Sequence, residues 1–506
     1  MRKHWLGLIV CAGLLAGTPV QAAGALIVCD DETDPQTLDP QRQFSEKNHT
    51  LLQQIYDGLV RFDPQGQIKE ALAVSWERVG PTRMRFHLRR GVIFHNGEPF
   101  NGEAVRFTIE RYLDPQIGFP ARTFLEHIEK VEVIDEHTVE IVTAWPDGLL
   151  LNRLAGFVLI VPPGHLREHG PGALERQPVG TGPFRFERWE RGRAIHLSAN
   201  RHYWMSGYPR IDGLVFRFAP AGEQVDLLLG GSVDLVTELP GTLTGLVQRS
   251  REARVLKQKT YWTVGGLLNN ATGSPLADVR VRKALNMAVD REDLIRYDVR
   301  GNGTVLATLT MPGEGGHNPD LEPYPYEPAG ARRLLEQAGV ELPLRLRCHV
   351  RAQSERAAKI IASHLRRVGV ELELHVFSDA QVVQSLGDPA QRWDIGIAGV
   401  PDPMCHSFFV QSILLSSRSP FSLLRDPEFD ARLAAMVSTL DAQERERLGR
   451  ELDRYVHEQA LSLFTYQKVK TYGVREGVTF TPYISGMPYF FDAAIERDAA
   501  STRGAR

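Results

Sequence analysis

Nucleophilic catalysis on an α/β scaffold needs a serine held between two glycines on a tight turn. The nearest match, Gly230-Gly231-Ser232-Val233-Asp234, lacks the second glycine. Gly180-Thr181-Gly182 and Gly301-Asn302-Gly303 do not continue into a third glycine or into Gly-Lys-Ser/Thr, so neither cradles a phosphate. The 16 histidines contain no His-Glu-x-x-His or comparable metal spacing. His87 and His95 flank a strand and a turn and read as structural. With 62 acidic residues, carboxylate pairs arise by composition alone and mark no acid–base catalyst. These absences remove the local evidence for an enzyme without excluding one; the expectation is a non-enzyme with no resident cofactor and no metal site, with a secreted hydrolase as the alternative of another class.

The N-terminus is the strongest local signal. Arg2 and Lys3 precede an apolar run from Trp5 to Ala16, Gly17-Thr18-Pro19 breaks it, and Val20-Gln21-Ala22 is a small-x-small cleavage site. That layout predicts a signal peptide over 1–22, cut after Ala22, and a periplasmic destination. Cys11 and Cys29 each follow Leu-Ile-Val, so neither has the small preceding residue of a lipid-anchoring site. Three cysteines remain after cleavage, Cys29, Cys348 and Cys405, with no Cys-x-x-Cys. An odd number leaves at least one thiol unpaired in an oxidising compartment. Cys348, inside an alternating apolar run, reads as a small buried hydrophobe.

Bulk properties set the remaining bounds. The chain has 506 residues, 42% of them hydrophobic, enough for two or three domains. Net charge is −3, and −5 once Arg2 and Lys3 are removed, which leaves no nucleic-acid footprint. No later run of about 18 apolar residues follows the leader.

The elements that must position any site read as mixed α/β. Leu51 to Val60 suggests a short helix ending near Gly58. Met84, Phe86 and Leu88 alternate on a strand, Ala104 to Tyr112 has helical spacing, and Val131 to Ile141 forms a hairpin over Asp135-Glu136-His137. Leu342 to Val376 is the clearest stretch. It runs strand, helix, strand, with Gly369 closing the helix, and predicts a βαβ unit in a mainly parallel sheet. Trp393 to Ala398 is a further strand followed by the loop Gly399-Val400-Pro401-Asp402-Pro403, and Asp441-Ala442-Gln443-Glu444 opens a long helix. Sites in such sheets lie beyond the strand ends.

Several segments carry a resemblance. They are Ile55-Tyr-Asp-Gly-Leu-Val60, Ala71-Leu-Ala-Val-Ser-Trp76 and Phe86-His-Leu-Arg-Arg-Gly-Val-Ile-Phe-His-Asn-Gly97. Next come Pro178-Val-Gly-Thr-Gly-Pro-Phe184 with Asn200-Arg-His-Tyr-Trp204, Asp278-Val-Arg-Val-Arg-Lys-Ala-Leu285, and Tyr326-Glu-Pro-Ala-Gly-Ala331. In this order they resemble the peptide/nickel (family 5) extracytoplasmic solute-binding proteins of ABC transporters. The resemblance implies a two-lobed periplasmic binding protein fold (cluster C type) with an extra N-terminal subdomain. Lobe I would comprise 23–50, 181–262 and 486–506, the inserted subdomain 51–180, and lobe II 263–485. The implied partners are a small, peptide-like ligand and an inner-membrane ABC permease, with the chain itself a monomer.

The resemblance also implies ligand-binding residues. Asp402 matches the aspartate that holds a ligand's amino group in peptide-binding members, and Arg351 the arginine that takes its carboxylate. An acid for an ammonium and a guanidinium for a carboxylate are charge-assisted pairs. The residue-level alternatives are that Asp402 caps a turn and that Arg351 is solvated. Trp262 is a candidate pocket wall, although such an aromatic also suits a core. His406, near the same loop, keeps a nickel-chelate ligand open beside opine-like conjugates and glutathione.

Overall fold

The computed structural model describes residues 24–30, 34–378, 381–382, 384–385 and 392–496. The leader at 1–22 lies outside the described residues. Among them, no helix is long and apolar enough to cross a membrane.

One sheet runs through the whole molecule. From edge to edge its strands are Val370–Phe377, Leu344–Arg351, Ile395–Pro401, Ala253–Leu268, Ser462–Arg475, Leu235–Val236, Ala25–Cys29, Gly213–Arg217, Ala194–Ala199 and Phe184–Glu190. The expectation of a mainly parallel sheet is corrected. Parallel pairs occur on either side of the centre, but the centre and one edge are antiparallel. The reason is chain path: two long strands, Ala253–Leu268 and Ser462–Arg475, cross from one half of the molecule to the other in opposite directions. Their pairing slips between Lys259 and Thr263 and again between Thr263 and Gly265. Before the slip the first strand pairs only with the second. After it, Trp262 to Leu268 also pairs with Ile395–Pro401. Burial becomes nearly continuous there, as expected of a strand covered on both faces.

The βαβ unit stands as expected. Leu344–Arg351 and Val370–Phe377 are parallel, joined by the helix Glu355–Arg366, and Ala357, Ile361 and Leu365 are fully buried against the sheet. A separate four-stranded sheet holds Met84, Phe86 and Leu88 on its buried face, under the helix Gly102–Leu113. Asn101 caps that helix by accepting the N–H groups of Glu103 and Ala104. Asp441 likewise caps Ala442–Glu458 through the N–H of Glu444.

Two further expectations need correction. The helix placed at Leu51 to Val60 lies earlier, at Glu46–Leu52, capped by Ser45. The following backbone is claimed by distant segments: Gln54 O accepts from Phe184, Ile55 O from Gly182, Asp57 O from Ile160 and Gly58 O from Leu72. Gly180 and Gly182 permit this approach, since a β-carbon on either would fall within 2.5 Å of Ile55 backbone atoms. Secondly, Gly399 to Pro401 is strand, paired with Trp262 to Val264, so the loop begins at Asp402.

Candidate functional site

The slip in the crossing strands turns the Tyr261 backbone outward in two directions. Its N–H donates to Ile484 O at 2.8 Å, and its carbonyl accepts the N–H of Asp402 at 2.7 Å. Asp402 therefore leaves the end of its strand at the crossing point, 0% exposed. Its Oδ1 accepts the N–H of Met404 and its Oδ2 that of His406, both at 2.7 Å. The turn-capping reading is thus realised, and the cap holds the acid in the seam where its loop meets the N-terminal region.

The loop after Asp402 is pressed from the other side by the N-terminal region. Asn152 Nδ2 donates to Met404 O at 2.9 Å, and a β-carbon on Gly156 would lie 2.6 Å from Pro403 O. Aromatic rings close the seam: Phe124 stacks on Phe157 at 5.2 Å and lies 4.9 Å from Phe409, while Arg153 sits 4.5 Å over Phe408. A cavity of about 10 Å³ remains, about one water in size, lined by His49, Gln53, Gly156, Pro403, Tyr483 and Tyr489. Burial pushes His49 down to about 4, so the ring is neutral.

Behind Asp402 stands a second acid. Glu314, in the turn Pro312-Gly313-Glu314-Gly315-Gly316, is 4% exposed and its Oε2 accepts the N–H of Met311 at 2.8 Å. The turn is laced to the Asp402 loop by pairing of Gly315 with His406 and by Ser407 N–H on Gly315 O. Glu314 Oε1 is buried without a hydrogen-bond partner. Burial raises Asp402 to about 7, against the hydrogen bonds from the N–H groups of Met404 and His406. Burial and then the charge of Asp402 raise Glu314 well above the carboxylate range. No cation is among the principal influences on either acid.

The other expected residues lie around this point. Trp262 is half-buried and its ring crosses Gly399. Lys468 stands 4.7 Å from the ring centre and also pairs with Glu238. His406 shares the Asp402 loop. Its Nδ1 accepts the N–H of Phe408 at 3.1 Å, and burial pushes it down to about 3. Arg351 is two strands away from Trp262, half-buried, with its guanidinium 5.7 Å from the Phe421 ring. Between them Gln353 reaches Gly399 O. So Asp402, His406 and Trp262 come together and Arg351 flanks them. Sequence reasoning passed over Glu314, Lys468 and the phenylalanine seam. A single acid among glycines and a proline, at 312–316, was the available signal for the first.

Comparison with known proteins gives this arrangement its context. The family model described as bacterial extracellular solute-binding proteins, family 5 Middle, matches residues 67–419. Heme-binding protein A of Haemophilus influenzae is 29% identical over 448 residues, spanning 81% of this chain and 80% of that one. Di/tripeptide-binding protein 3 of Pseudomonas aeruginosa is 30% identical over 366 residues, 67% of each. Among solved structures, the PBP AgaA of A. tumefaciens R10, in complex with agropinic acid, superposes with a TM-score of 0.81 at 25% identity, over 94% of this chain and 99% of that one. The family model covers well over half of the chain, and the chain therefore belongs to family 5 of the bacterial extracellular solute-binding proteins.

Proposed function

We propose that this protein is the substrate-binding component of an ABC importer, closing its two lobes over a small peptide-like solute with a free amino group and delivering it to an inner-membrane permease. The importer role follows from the family. The ligand class rests chiefly on one observation: two carboxyl groups buried in the seam, with no cation among their principal influences. Burying an acid without a positive partner is costly, and a ligand ammonium offsets that cost. Asp402 takes the ammonium in this reading, Arg351 the far carboxylate, Trp262 forms a wall, and His406 holds the loop in shape. The small cavity beside Pro403 fits a closed form that opens to admit ligand.

The lobe division proposed is that of the sequence reading, with one adjustment. Tyr472, Val474, Val478, Phe480 and Tyr483 pack with Leu26, Phe184 and Phe216, which supports placing the return crossing within Ser462–Arg475 and not at Ser485. Relatives in the family are binding proteins. That this chain performs no catalysis, acts as a monomer and reaches the periplasm by cleavage after Ala22 belongs to the same proposal. Native mass spectrometry of protein purified from its own host tests it: a co-purifying adduct with the mass of a short peptide or peptide conjugate is expected. Turnover of that ligand by the purified protein would overturn the binding-only reading.

A further inference from the structure

We propose that the cavity beside Pro403 is a neutral polar subsite of the solute pocket, in which His49, Gln53, Tyr483 and Tyr489 hydrogen-bond one uncharged hydroxyl, supplied by the first residue of the solute or by an ordered water in its place. The inference deepens the proposed capture of a peptide-like solute. It rests on the reading of Asp402 as the ammonium partner, because Pro403 follows Asp402 directly in the chain.

The lining carries it. His49, Gln53, Tyr483 and Tyr489 are 7%, 4%, 4% and 5% exposed, and all four line the same cavity of about 10 Å³. Among the described residues, the ring nitrogens of His49 and the hydroxyls of Tyr483 and Tyr489 have no hydrogen-bond partner; these rings make only aromatic and cation contacts. Gln53 Nε2 is tied to Met487 O at 2.9 Å and to Pro488 O at 2.8 Å, which leaves its Oε1 as an acceptor without a donor. Buried polar groups in folded proteins are paired, with the protein or with a small polar guest. Four such groups around one cavity of water size point to a guest of that size. The phenols donate, the amide oxygen accepts, and a neutral imidazole does one at each nitrogen. A hydroxyl answers both kinds, whereas a methyl of similar bulk leaves them unmet.

The same lining excludes charge. Phe62, Ala155, Gly156, Pro403, Ser485 and Met487 complete it, and none of them ionises. Burial pushes the His49 imidazole down and both phenols up, so all three are uncharged near neutrality. Arg61 lies 5.6 Å from the Tyr489 ring centre, and Asp57, Asp63 and Asp492 set their opposite charge against it at the two phenols. An ionised guest would lose its hydration with no counter-charge in the lining.

The walls are fixed in advance. Ile484 accepts the N–H of Tyr261 at 2.8 Å and donates to Pro64 O at 3.0 Å, and Lys470 Nζ donates to Gly486 O at 3.0 Å. The His49 ring rests 5.5 Å from that of Phe44. A preset polar site discriminates strongly against a guest that lacks the hydrogen-bonding group.

Calorimetry with seryl-leucine and alanyl-leucine, which differ by one hydroxyl, tests this. Wild type should bind the seryl peptide at least about tenfold more tightly. Tyr489→Phe, which keeps the ring, should cut that preference to about threefold or less, chiefly by weakening the seryl peptide. Equal affinities in wild type, even with a water in the cavity, or equal losses of both peptides in Tyr489→Phe, would overturn the proposal. If neither peptide binds wild type, the peptide reading of the site fails instead, and high-resolution crystallography of the ligand-free protein decides the subsite. A water bonded to at least two of the four side chains supports it, and a map without one overturns it.

Discussion

The indole of Trp262 lies over Gly399 so closely that a β-carbon at that glycine would sit 2.3 Å from the ring. The two residues are on adjacent antiparallel strands, two positions out of direct register, where side chains on the same face meet diagonally. Gly399→Ala should therefore displace the indole and lower stability by about 1–3 kcal/mol through overpacking. In a Trp262→Ala background the same change should cost much less. A double-mutant cycle by chemical denaturation reads the difference, and additive effects would refute the contact.

Acid stability should depend on a cluster beside the seam. Burial opposes the charge of Asp147, but Arg153 and His127 outweigh it and hold the carboxyl down at about 2. Its Oδ2 lies 2.9 Å from Arg153 Nε and 2.7 Å from His127 Nε2. A depressed acid contributes stability that is fully present above its unfolded value of about 3.9 and is lost as pH falls toward the folded one. Asp147→Asn should cost about 3 kcal/mol at neutral pH, because it strands buried Arg153. The penalty should shrink as pH drops through about 4. Denaturation curves at several pH values check this, and a penalty constant down to the acid limit would contradict it.

Export should leave a defined N-terminus. Protein recovered from the periplasm should begin at Ala23, within one or two residues, and should carry no lipid. Intact-mass measurement decides it, and a retained leader would contradict it.

Arg351 should matter for one end of the ligand only. Arg351→Gln should weaken binding of peptides with a free carboxylate at least about tenfold, and leave C-amidated peptides little changed. Equal losses for both would assign Arg351 a structural role, for example through its contact with Phe421.

How much of this was legible depended on whether a signal was local. The strand Arg83–Leu88, the caps at Asp441 and Gly369 and the helix Glu355–Arg366 follow from spacing and turn chemistry, and they stand where expected. The backbone from Gln54 to Gly58 did not, because its partners are as distant as Gly182 and Ile160. The sheet's mixed character likewise comes from two strands about 200 residues apart in sequence, a pairing that no local pattern encodes. Asp402 was reached through its flanking prolines and the family's pattern. Glu314 was missed because its burial arises only where two distant loops pair, Gly315 against His406.

The central claim is that the seam at Asp402 receives a ligand ammonium, and calorimetry with matched peptides tests it most directly. Wild type should bind a free-amino di- or tripeptide and reject its N-acetyl form. Asp402→Asn, nearly the same shape without the charge, should lose about 2–5 kcal/mol toward the free-amino peptide. Equal binding of free and acetylated peptides, or preferential binding of a nickel–histidine mixture, would contradict the account.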